Sequence, residues 1–327
     1  MRLLFALLGL LATLMTAPAA AGPWALALHG GAGVIERGKF AAGEEAAIRA
    51  ALGEALAAGE AILAKGGTAV DAVVATVEVL EASPHFNAGV GAVFTSAGTI
   101  ELDAAIMDGA TRRAGAVTGV MTTRSPVRLA RALMDTGPWV FLAGRPTDEW
   151  ARAHGLPQVP NSHFMTEARR KQLDIVLRDK SAGGFDSRLR FGTVGAVALD
   201  QAGNLAAATS TGGLTGKTPG RVGDAPIIGG GTLAENGACA VSATGSGEIF
   251  MRARAAGQIC DRIRWAGQAP QAAADLVIAD IGKLGGDGGV ILVSAGGEVA
   301  FAMNSSGMYR AAVTSAGGRQ VKIFADE

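Results

Sequence analysis

The chain has 327 residues, and its 29 Lys and Arg balance 29 Asp and Glu, so its formal charge is zero. About half the residues are apolar (49%), Gly is abundant at 48, and aromatic residues make up only 5%. This composition suits small-residue packing with many tight turns rather than disorder, gives no sign of a nucleic-acid partner, and at this length admits one large domain or two ordinary ones.

Met1-Arg2 is followed by a short apolar run and then TAPAAAG. A positive start, an apolar stretch too short for a bilayer and a small-residue site predict a signal peptide over 1–21, cleaved after Ala21. The mature chain would be secreted or periplasmic, with no membrane association once the leader is removed. WALALHGGAG (24–33) predicts a buried strand ending in a Gly-rich turn. Residues 41–65 have Ala, Glu and Leu at helical spacing, closed by Gly66-Gly67, and Thr68 caps a second helix. The loop PHFNAGVG leads to strands IELDAAIMDG and AGAVTGVM, then to a helix with Ser125 at its N-cap and Pro126 at N1. Polar helical segments fill 145–180, and DKSAGGFDSRLRFG (179–192) reads as an exposed linker. TVGAVALD and LAAATST, joined by QAGN, form a hairpin. ACAVSATGSGE runs into a single helix through residue 267, and a further helix precedes a hairpin of GGVILVSA and GEVAFAMNS. Cys239 and Cys260 are the only cysteines. Export permits a disulfide, but sequence cannot place their Cα atoms, so pairing stays open.

Several motifs invite readings that fail on their own terms. HGGAG resembles an esterase oxyanion loop, yet no Gly-x-Ser-x-Gly elbow exists, so a structural turn is the simpler reading. GLTGKT (213–218) lacks the first Walker glycine, because Thr211 stands there, and Pro219-Gly220 follow where a helix should start. His29, His85, His154 and His163 are too scattered to support a zinc site or a His-based triad.

Thr193, Thr211 and Thr244 remain, each beside a glycine in a small-residue strand. A hydroxyl needs a base, and one solution is the residue's own α-amine, which is substantially neutral near pH 8. That requires the threonine to begin a chain, hence internal cleavage. Gly192 tolerates strained backbone angles, and a hydroxyl at Thr193 can attack the preceding carbonyl. From the residues alone, a strand-start threonine is the simpler reading. Arg221 and Asp224, in GRVGD, match the carboxylate and ammonium of an amino-acid head; the alternative there is a surface salt bridge.

FGTVGAVALDQAGNLAAATSTGG, GRVGDAP, VSATGSGE and GGDGGVILV, with LHGGAG, HFNAGVGAVF and ELDAAIMDG, resemble the plant-type asparaginase and isoaspartyl peptidase family of N-terminal nucleophile hydrolases. The resemblance covers nearly the whole mature chain, in order. It implies an α+β fold, a four-layer αββα sandwich, in one domain over 22–327 that cuts itself into an α chain (22–192) and a β chain (193–327). It also implies a dimer of such αβ units. Thr193 would be the nucleophile, freed by cleavage after Gly192, with Thr211 tuning it. Thr244 and Gly245 would form the oxyanion site and Asn87 would hold the adjoining loop. Arg221, Asp224 and Gly247 would bind substrate. No cofactor is required for the chemistry. A structural sodium ion would sit on backbone carbonyls of Leu80, Glu81, Ser83, Phe86, Ala88 and Val90.

The implied reaction is hydrolysis of β-aspartyl amides, in isoaspartyl dipeptides and L-asparagine, releasing L-aspartate. Alternatives are a glycosylasparaginase-like enzyme, disfavoured by Gly192 where that subfamily typically has Asp, and a non-enzymatic periplasmic amino-acid-binding protein. The chain departs from many relatives at Ser246, where they have Thr, and in its leader.

Overall fold

The structure, a computed structural model, describes residues 22–181 and 192–327. The expected leader and residues 182–191 of the expected linker lie outside the described residues. In chain order the elements are β1 (Ala25–Gly33), α1 (Glu44–Leu63), α2 (Ala69–Ala82), β2 (Leu102–Asp108), β3 (Ala114–Val120), α3 (Pro126–Thr136), β4 (Phe141–Ala143), α4 (Arg145–Ala153) and α5 (Glu167–Ser181). After the undescribed stretch come β5 (Val194–Leu199), β6 (Leu205–Thr211), β7 (Thr232–Ala234), β8 (Cys239–Gly245), α6 (Gly247–Ala253), α7 (Ala255–Ala266) and α8 (Pro270–Lys283). The chain ends in β9 (Gly288–Ser294), β10 (Val299–Met303), β11 (Gly307–Thr314) and β12 (Gly317–Phe324). The fold is α+β.

The helix boundaries follow local chemistry. Thr68 accepts from the Asp71 amide and Ser125 from the Arg128 amide, with Pro126 in the first turn of α3. After α1, Gly66 adopts φ 78°, and the Gly66 and Gly67 amides return to Leu63 and Ile62 carbonyls. Those carbonyls would otherwise lack partners.

Described strands form a sheet in the order β12-β11-β1-β5-β6-β2-β3-β4 and a second in the order β10-β9-β8-β7. Side chains alternate across a strand, and β1 shows the consequence. Leu26 and Leu28 join a core with α1 and α2, whereas Ala25 and Ala27 join a core with β8, β9, α7 and α8. The larger sheet carries α1, α2 and α3 on one side; β8 and β9 lie against β1 and β5, and α7 and α8 against β8, β9 and β10. Alanine in β1, β5 and β6 leaves room for the second sheet to approach.

Four local readings need correction. HGGAG is not a turn: β1 continues through Gly33, with an irregularity between His29 and Gly31 that lets pairing with β11 resume. The helix after β8 is two helices, because Arg254 takes a left-handed φ of 50° between them. β11 and β12, unassigned in the sequence reading, complete the edge beside β1. The stretch read as linker from residue 179 is still helical to Ser181.

Candidate active site

Thr193 stands one residue before β5 and is buried, and Thr211 ends the adjacent β6. Antiparallel pairing sets Val194 opposite Ser210, which brings the two threonines together. The Thr193 hydroxyl donates to Thr211 Oγ1 at 3.0 Å, and the same oxygen accepts the Gly213 amide at 3.0 Å. Asn87 braces this turn from behind. Its Nδ2 donates to the Gly213 carbonyl at 2.7 Å, and its own carbonyl accepts the Gly212 amide at 3.1 Å.

Thr244 and Gly245 come from the end of β8, in the other sheet. Thr244 Oγ1 accepts the Ala32 amide at 3.3 Å. Gly245 has φ 148°, and a Cβ there would strike the Asp287 carbonyl. Ser246, the departure noted above, donates to Asp287 Oδ1 at 2.5 Å. Gly192, Thr193, Thr211, Arg221, Asp224 and Gly245 share one cleft. It holds about 20 Å³, room for a single water.

Arg221 Nε and Nη2 each reach a Glu248 carboxylate oxygen at 2.9 Å. Nη1 points the other way, 2.9 Å from where a Cβ on Gly223 would lie and 3.3 Å from one on Gly213. Asp224 is buried, and Oδ2 has no hydrogen-bond partner among the described residues. Burial pushes its carboxyl up to about 7, although its own amide and Arg221 favour the ionised form. A Cβ on Gly247 would lie 3.0 Å from both Arg221 Nη2 and Asp224 Oδ1, so the bare backbone there leaves the pair its space.

A family model described as Asparaginase matches residues 22–323. The chain belongs to the asparaginase family. The isoaspartyl peptidase of Salmonella typhimurium is 45% identical over 294 residues, 88% of this chain and 94% of that protein. The isoaspartyl peptidase of Escherichia coli is 44% identical over 297 residues, 89% and 92% of the two chains. The human isoaspartyl peptidase/L-asparaginase is 41% identical over 270 residues, 82% and 86%.

In this asparaginase-family chain the residues named from sequence are gathered, but their supports went unread. Glu248 is one: its pairing with Arg221 spans 27 residues, and only the fold of α6 against the 220–224 turn shows it. His29 is another: Nδ1 lies 2.9 Å from the Thr193 carbonyl, and burial holds its pKa down near 3 against that bond. Glu81 is a third. Its side chain accepts from Ser125 and Ser210 hydroxyls, each at 2.6 Å, and from the Val127 amide at 3.0 Å, tying the end of α2 to the residue before Thr211. The signal for His29 and Glu81 was a polar residue in or ending an apolar run. Lys217 of GLTGKT is buried, donates to the Glu101 carbonyl at 2.9 Å and lies 3.9 Å from Asp103 Oδ2, and no helix follows it. It is not placed to meet a phosphate.

Proposed function

We propose that the chain is a self-processed threonine hydrolase of β-aspartyl amides, taking isoaspartyl dipeptides and L-asparagine and releasing L-aspartate. The observation that carries this is the buried Thr193 hydroxyl, held by Thr211 in the same cleft as Gly192, Arg221 and Asp224. The names and coverage of the relatives support the substrate class.

In maturation the Thr193 hydroxyl attacks the Gly192 carbonyl, and the acyl group moves from nitrogen to oxygen. Water hydrolyses the resulting ester, leaving a carboxylate on Gly192 and an α-amine on Thr193. That amine then serves as the base for its own hydroxyl. In turnover Thr193 Oγ1 attacks the β-amide carbonyl and the amine takes its proton. The leaving amine departs with a proton, and water cleaves the β-aspartyl ester. Thr244 and the Gly245 amide would stabilise the oxyanion. Arg221, through its Nη1 edge, would take the α-carboxylate, and Asp224 the α-ammonium.

The two chains would be 22–192 and 193–327, sharing one αββα sandwich, a reading supported by the packing of helices and sheets described above. Two αβ units would associate, and residues 1–21 would direct export. A sodium ion would be held by carbonyls of Leu80, Glu81, Ser83, Phe86, Ala88 and Val90. Left-handed Gly89 and Gly91 support this by turning the loop that carries these carbonyls, and the Phe86 carbonyl lies 2.9 Å from where a Cβ on Gly91 would be. The ion would supply loop rigidity, not chemistry.

The test is Thr193→Ala beside the wild type, read by denaturing gel, N-terminal sequencing and kinetics on β-aspartyl dipeptides and asparagine. The expected result is two chains, the second beginning at Thr193, and activity only in the wild type. A variant that still splits and turns over removes Thr193 from the role.

A further inference from the structure

His29 lies fully buried in β1, directly opposite Gly195 of β5. Its two ring nitrogens have different tasks. Nδ1 lies 2.9 Å from the Thr193 carbonyl, and a carbonyl only accepts, so Nδ1 carries the proton. Nε2 of the neutral ring must then accept, and its partner at 2.8 Å is the Ser242 hydroxyl, which donates. A serine has one proton, so Ser242 in turn accepts from Thr209 at 2.7 Å. Thr209 then accepts from Thr232 at 2.5 Å. Thr232 also lies 2.9 Å from the Ala225 carbonyl, and its single proton serves both acceptors. The direction of the Ser242 hydroxyl is thereby set by the Thr193 carbonyl at the other end, while the Gly231 carbonyl, 3.4 Å from Thr209 Oγ1, and the Ala225 carbonyl take shares of the Thr209 and Thr232 protons.

A second, independent feature protects this arrangement. A Cβ on Gly195 would collide with Ser242 Oγ and lie 2.6 Å from His29 Nε2. The hydrogen bond between them runs through the space that a side chain at residue 195 would fill. The chain also crosses the molecule: His29 and Thr209 are in the larger sheet, Ser242 and Thr232 in the smaller.

We propose that His29 is a positioning residue for Thr193, holding the nucleophile's own carbonyl through Nδ1–H at the head of a one-way relay of buried hydroxyls that ties it to both sheets. This rests on the reading of Thr193 as a self-freed nucleophile. Once the bond to Gly192 is cut, Thr193 becomes a chain terminus, and termini fray unless tied down. The bond from its hydroxyl to Thr211 restrains the side chain; the bond from His29 restrains the backbone from which that side chain and the new amine project. His29 touches neither substrate nor the reacting atoms, so its effect falls on alignment. A misplacement of about 1 Å costs roughly 100-fold in rate.

The experiment compares wild type, His29→Ala, His29→Asn and His29→Leu for two-chain processing, melting temperature, and kcat and KM on a β-aspartyl dipeptide. Asn Nδ2 can replace Nδ1–H at the carbonyl. The expected result is a fall in kcat of about 10- to 100-fold in His29→Ala with KM within about twofold, and recovery of most of it in His29→Asn. Equal kcat in wild type and His29→Ala overturns the proposal. So does an equal loss in the Ala and Asn variants that follows a lowered melting temperature, since that marks a packing role. Should His29→Ala fail to fold, His29→Leu takes its place: it fills much of the ring's space with no donor for the carbonyl, so kcat falls at unchanged KM, whereas unchanged kcat overturns the proposal. A wild type that stays uncut and inert takes down the Thr193 reading and this one together.

Discussion

Gly31 and Gly192 meet backbone to backbone: a Cβ on Gly31 would lie 2.6 Å from Gly192 Cα, and one on Gly192 would strike Gly31 in return. Two residues far apart in sequence thus share a space only glycine leaves open. Gly31 also has φ 114°, a conformation that a side chain strains by about 1–3 kcal/mol. Gly31→Ala is therefore expected to displace Gly192 from the cleft and slow processing at least about tenfold, a factor that about 1.4 kcal/mol supplies. A time course of the two-chain products on a denaturing gel checks it.

Asp224 has its carboxyl raised to about 7 by burial, so in the empty site it is largely protonated below that pH. A substrate ammonium needs the carboxylate. Binding must then drive the proton off, and KM should rise as pH falls below about 7, approaching tenfold per unit. KM between pH 5 and 8 tests this, with proton release on binding measured by calorimetry in two buffers. A flat KM across that range would remove Asp224 from ammonium recognition.

Glu248 takes the Nε and Nη2 edge of Arg221 and leaves Nη1 facing the cleft. Its side chain is 54% exposed, so the pair is worth at most about 1 kcal/mol. Glu248→Gln should raise KM by roughly two- to fivefold with kcat nearly unchanged. A substrate analogue without the α-carboxylate should show no such difference.

Cys239 and Cys260 are bonded, with Cα atoms 5.5 Å apart and 21 residues of separation. The bond joins the start of β8 to α7. Closing a loop of that length removes unfolded-state entropy worth about 3 kcal/mol. The Cys239→Ala/Cys260→Ala chain is expected to lose about 3 kcal/mol of unfolding free energy and so to unfold at a lower urea concentration, and added reductant should leave its midpoint unmoved.

Lys217 and Asp103 form a buried pair with side chains 1% exposed, and Asp103 Oδ2 has no hydrogen-bond partner among the described residues. Burial lowers the Lys217 pKa, opposed chiefly by Asp103. Lys217→Met leaves a buried carboxyl unpaired and should destabilise by about 3–5 kcal/mol, while Lys217→Met/Asp103→Asn should recover part of that loss. Urea midpoints of the two chains give the comparison.

The features legible in the sequence are local ones. Thr68, Ser125 and Gly66 end helices through bonds within a few residues, and small-residue runs mark the strands of the double-faced sheet. Motif order identified the family and with it the residues that line the cleft. Arg254 was not legible as a break, because nothing beside it forbids a continuous helix. HGGAG was read as a turn because its pairing with β11 joins residues about 280 positions apart.

Residue types and spacings alone determined the caps at Gly66, Thr68 and Ser125, which small-residue runs form strands, and which threonines stand beside glycine. Tertiary structure decided which of those groups meet. Thr193 finds Thr211 through strand register, Thr244 and Ser242 arrive from a second sheet, and His29 reaches a carbonyl 164 residues away. Such contacts depend on how two sheets stack and pair, and a hydrogen bond tolerates only a few tenths of an ångström in that stacking.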